Sequence, residues 1–91
     1  MPERRVTVAS QVGLHARPAA LFVRAAGRAG VAVTIAKAGS SPIDARSLLA
    51  VMSLDVRRGD EVILVAEGNG ADAALDELAT LLATDLDATH A

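Results

Sequence analysis

Apolar residues recur along this chain at two spacings, every second residue in some stretches and every third or fourth in others, and the alternation predicts seven elements. Residues 5–9, Arg-Val-Thr-Val-Ala, alternate in polarity and predict a strand with Val6 and Val8 turned inward. A helix is expected from His15 or Ala16 to about Arg28. Ala19, Phe22, Val23, Ala26 and Ala29 fall on one of its faces while Arg24 and Arg28 lie elsewhere, and Gly30 supplies a stop. Residues 31–37 read as a second strand. The turn Gly39-Ser40-Ser41-Pro42 leads into a short third strand over 43–45, expected at a sheet edge because Pro42 has no N–H for a ladder.

Ser47 can cap a short helix over 48–54, in which Leu48, Val51, Met52 and Leu54 cannot all be buried on one face, so some apolar surface there is expected to be exposed. Residues 57–60, Arg-Arg-Gly-Asp, turn into a strand over 61–66. After Gly68-Asn69-Gly70 a last helix runs from Ala71 to about Thr84, with Ala71, Ala74, Leu75, Leu78, Leu81 and Leu82 as its stripe. Asp72, Asp76 and Glu77 sit in its N-terminal half, where the helix dipole favours them.

The order is thus strand, helix, strand, strand, helix, strand, helix. Right-handed crossovers put the helices of successive strand-helix-strand units on one face of a sheet. The expected class is α+β, an open-faced βαββαβα sandwich with four antiparallel strands and three helices on one face. The 91 residues suit one domain spanning 1–91, with about 86–91 a frayed tail.

Composition narrows the chemistry. With no cysteine there is neither a disulfide framework nor a thiolate metal site. No stretch approaches the roughly 20 apolar residues of a membrane span, and the N-terminus carries no apolar signal core, so a cytoplasmic protein is expected. A formal charge of −2 argues against bulk nucleic-acid binding. The single aromatic residue, Phe22, argues harder, because single-strand platforms stack bases on several rings.

The run Gly13-Leu14-His15-Ala16-Arg17-Pro18-Ala19-Ala20 carries the chemistry. Gly13 lets the loop bend, Pro18 has no N–H to lose in the first helical turn, and the amides of Ala16 and Arg17 point out of the helix end, where an anion is welcome. The imidazole of His15 is a nucleophile near neutral pH, and the positive helix end favours its neutral form. Arg17 offers a planar, multi-donor charge partner. His90 sits in the tail, and two histidines so placed form no recognisable metal site.

Residues 13–19 resemble the active-site signature of the HPr family, the histidine-containing phosphocarriers of the bacterial sugar phosphotransferase system. Residues 47–54, Ser-Leu-Leu-Ala-Val-Met-Ser-Leu, resemble that family's second signature around a regulatory serine. The resemblance runs nearly end to end, and the element order matches the family's fold. It implies a carrier rather than an enzyme, without cofactor, that takes a phosphoryl group on His15 from enzyme I and passes it to an enzyme IIA. Arg17 and the backbone of Ala16 and Arg17 would hold the phosphoryl oxygens. Ser47 is both a helix cap and, by the resemblance, a phosphorylation site for an HPr kinase/phosphorylase. Ala16, Ala20, Leu48, Leu49 and Met52 are expected to form a docking patch rimmed by Arg17, Arg24, Arg28 and Arg46. A monomer is expected.

Asp55 stands where the family commonly has Gly, which leaves the helix exit open to another C-cap geometry, and the 39–42 turn is one residue longer than in many members. The nearest rival is a paralogue in a nitrogen-related or other phosphorelay. More remote are a non-catalytic α+β ligand-binding domain and a small hydrolase. The hydrolase lacks any serine, cysteine or carboxylate constellation to support it.

Overall fold

The structure, a computed structural model, describes residues 3–9, 16–37 and 39–83. Its elements are β1 (Glu3–Thr7), α1 (Ala16–Arg28), β2 (Ala32–Lys37), β3 (Ile43–Asp44), α2 (Leu48–Ser53), β4 (Glu61–Glu67) and α3 (Ala71–Ala83). The four strands form one sheet in the order β1-β4-β2-β3, every neighbouring pair antiparallel. The expected α+β class and element order are therefore present.

This strand order follows from the two crossovers. β1 and β2 run in the same direction with β4 between them, and β3 and β4 run together with β2 between them. Each crossover skips one strand, and the two advance in opposite directions on strands of opposite polarity. Right-handed connections then put α1 and α2 on the same face. α3 follows β4 and packs over β1 and β4, completing the helical layer.

Burial obeys the period of each element. In β4, Val62, Leu64 and Ala66 are buried while Ile63 and Val65 are only half-buried on the opposite face. Phe22 from α1, Ile35 from β2, Val51 from α2 and Leu75 from α3 meet in the same fully buried cluster. Ala25, outside the face assigned from the sequence, is buried as well, and Ala29 is half-buried. In α3 the expected stripe is buried except for Leu81, which is half-buried.

Boundaries moved most at β1, which lies two residues earlier than the alternation suggests. The cause is at both ends. Arg4 extends across to α3, where its Nε and Nη2 donate to Asp76 Oδ1 at 3.2 and 3.1 Å. Val8, though past the ladder, is buried and held by the 57–60 turn: its N–H donates to the Asp60 carbonyl at 3.0 Å and its carbonyl accepts from Gly59 at 2.9 Å. β3 is short and at the edge, as Pro42 requires. Its pairing with β2 ends on the Ala45 N–H donating to the Val33 carbonyl at 3.0 Å. Gly30 closes α1 with φ of 75°, a backbone geometry that side chains other than glycine adopt at a cost.

Candidate functional site

α1 begins at Ala16 with Pro18 third. The opening amides of a helix have no partner within it, and Pro18 contributes none, so the N–H groups left over in α1 are those of Ala16 and Arg17. The Pro18 ring is buried, anchoring the first turn, while the neighbouring Arg17 side chain is exposed. Arg17 makes no ion pair or hydrogen bond with any described side chain. His15, on which the chemistry of the motif centres, lies outside the described residues, as do residues 10–14, Ala38 and the tail with His90.

α2 packs against α1. Ser47 is its N-cap, in extended geometry, with its Oγ accepting from the Ala50 N–H at 3.3 Å. Val51 turns fully into the core. The remaining large residues cannot follow it: Leu48 is 41% exposed, Met52 36% and Leu49 81%. Six residues make fewer than two turns, so one core-facing position satisfies the helix and its neighbours face out. These three side chains are thus not core residues, and they stand on the helix that abuts α1. Ala20 is half-buried on α1.

The exit of α2 keeps the geometry that a glycine would give. Asp55 itself takes φ of 55°, in the left-handed region, and its N–H donates to the Met52 carbonyl at 3.2 Å. Aspartate tolerates this region better than most residues. Lys37 holds the exit from below, its Nζ donating to the Asp55 carbonyl at 3.0 Å and pairing with Asp60 at 3.2 Å. The Arg57 N–H on Asp60 Oδ2, together with Lys37, holds the Asp60 carboxyl below the ordinary carboxylate range.

The arginines expected to rim the patch have different surroundings. Arg46 is engaged at the sheet edge, where its backbone N–H and guanidinium both reach Asp44 Oδ1, at 2.9 and 3.4 Å, and lower that carboxyl's pKa. Arg24 and Arg28 are exposed on the flank of α1 that meets α3 and line a hollow there with Glu77. Positions 17, 21, 24 and 28 form one helical stripe, so Arg17 shares that line, whereas 16 and 20 lie on a neighbouring flank. The sequence spacing contained this division, but the position of α3 was needed to show its consequence.

Among the described residues no group of three or more His, Asp or Glu side chains could hold a metal ion. No helix among them is long and apolar enough to cross a membrane.

Comparison with known proteins bears on the whole chain. Residues 2–84 match the family described as "PTS HPr component phosphorylation site". The chain is 54% identical over 87 residues to a phosphocarrier protein HPr from Streptomyces coelicolor, covering 96% of this chain and 94% of that protein. It is 46% identical over 83 residues to one from Haloferax volcanii, covering 90% and 93% of the two chains. Its fold superimposes on the crystal structure of HPr from Bacillus anthracis with a TM-score of 0.85 and 37% identity, covering 89% of this chain and 95% of the other. With the helix order, the sheet order and the α1 and α2 signatures in agreement, the chain belongs to the HPr family, the phosphocarrier proteins of the phosphotransferase system.

Proposed function

We propose that His15 is the residue that carries the phosphoryl group, receiving it from enzyme I and giving it to an enzyme IIA in the cytoplasm. An imidazole nitrogen forms the P–N bond as the donor's bond to phosphorus breaks, and transfer onward reverses these roles on the acceptor. The observation that supports this most is the start of α1 immediately after His15. Two amides there have no helical partner, and Arg17 is exposed with no described side chain to neutralise it. The amides favour the phosphoryl oxygens, and Arg17 serves the charge that spreads over them during transfer.

A carrier must also release its cargo. A helix-end interaction of about 0.3–2 kcal/mol shifts an equilibrium by up to roughly 30-fold, which tunes transfer without trapping the group. The exposed Leu48, Leu49 and Met52, with Ala16 and Ala20, serve as the docking patch for both partners. Ser47 serves as the regulatory site of a kinase. A phosphate on its Oγ would keep the favourable helix start of α2 while placing negative charge beside the patch, disfavouring acidic partners.

The test is incubation with enzyme I and phosphoenolpyruvate, followed by mapping of the acid-labile phosphate. Phosphate on His15, absent from the His15→Ala variant, is expected. A stable phosphorylated product with its label elsewhere would overturn the assignment.

A further inference from the structure

We propose that the hollow between α1 and α3 binds a small amphipathic monocarboxylate. Its volume of about 370 Å³ falls within the roughly 300–1,000 Å³ of small-ligand pockets. Leu21, Ala25 and Leu81 give it an apolar lining, and Arg24, Arg28 and Glu77 give it charge. Arg24 and Arg28 are one turn apart on α1, about 6 Å along the axis, a spacing from which two guanidinium groups can grip the two oxygens of one carboxylate.

The charge arrangement selects the ligand. Arg4, Arg5, Lys37, Arg46 and Arg57 each have a carboxylate within 4 Å or less. Among the described residues Arg24 and Arg28 have none, and Glu77, although it lines the same hollow, pairs with neither. Two positive groups and one negative leave a single uncompensated positive charge, which fits a monoanion. A dicarboxylate would turn its second charge toward Glu77. Half-buried Leu21 and Leu81 gain by being covered, so the body attached to the carboxylate is apolar.

The site is independent of the phosphoryl reading and is tested without enzyme I. The unphosphorylated protein is titrated with hexanoate while amide chemical shifts are followed, with hexylammonium and glutarate as comparisons. Hexanoate is expected to bind with a Kd on the order of 1 mM, as befits eight heavy atoms, and to move the amides of Ala25, Arg28, Glu77 and Leu81 most. The double variant R24A/R28A should lose about tenfold in affinity. Glu77→Gln should tighten hexanoate and admit glutarate. All three residues are exposed, so circular dichroism should show the variants folded. Equal binding of hexylammonium, undiminished binding by R24A/R28A, or shifts centred away from α1 and α3 would each overturn the proposal.

Discussion

α2 and α3 use similar residues to opposite ends. α3 spends Leu75, Leu78 and Leu82 on the core, each no more than 1% exposed, whereas α2 buries Val51 and leaves Leu48, Leu49 and Met52 in solvent. The difference is length. Thirteen residues give α3 three turns and a stripe that returns to the sheet at every turn, and Arg4 ties it down through Asp72 and Asp76. Six residues give α2 one inward position and a set of apolar neighbours with nothing to lie on. Helix 3 therefore holds the fold together, and helix 2 presents an apolar surface that a transient partner can cover and uncover.

Single truncations give the sharpest way to break that contrast. Leu75→Ala removes a fully buried side chain and should cost about 2–5 kcal/mol in denaturant unfolding. Leu49→Ala should change stability by no more than about 0.5 kcal/mol, yet weaken binding to enzyme I by about fivefold or more. Equal destabilisation by the two variants would mean that the α2 surface is part of the core after all. A Leu49→Ala variant with unchanged stability and unchanged partner affinity would leave the docking patch without its central residue.

The periodicities made this contrast visible in outline, because the 48–54 segment has too many large apolar residues for one face and the 71–84 segment has one coherent stripe. They placed the start of α1 at His15 or Ala16 and identified Ser47 as a cap, since both rest on local rules of backbone satisfaction. They misplaced β1 by two residues because its position depends on Arg4 reaching Asp76, a contact 72 positions away in sequence. They also could not show that Asp55 would take the left-handed geometry itself, which depends on Lys37 drawing in its carbonyl from the end of β2. Arg24 and Arg28 could be assigned to a helical stripe from spacing, but their neighbour was invisible until α3 was packed beside α1.

A smaller effect is expected where α2 begins. Ser47→Ala removes the oxygen that accepts from the Ala50 N–H and should cost about 1 kcal/mol, while Ser47→Gly should cost only a few tenths. Thermal or denaturant unfolding of the two variants distinguishes a cap from a mere surface hydroxyl. If Ser47→Ala is neutral, the short helix is held by Val51 alone, and the contrast with α3 becomes one of core contacts only.

The smallest effect concerns the exit of α2, and it appears as a dependence on pH. Asp60 accepts the Arg57 N–H at 2.9 Å and faces the Lys37 ammonium at 3.2 Å, and both interactions favour its ionised form. Its proton therefore binds less readily in the folded chain than in the unfolded one. A depressed carboxyl pKa contributes stability that is fully present above the unfolded value and is lost as pH falls through the folded value, so the loss belongs below about pH 4. Asp60→Asn can still accept from Arg57 but cannot attract Lys37 as an anion or titrate. Its stability should consequently fall less steeply than that of the parent between about pH 5 and 2, while the Asp44 contribution remains in both. Parallel curves would show that Lys37 holds the α2 exit through the Asp55 carbonyl, with the charge of Asp60 adding nothing.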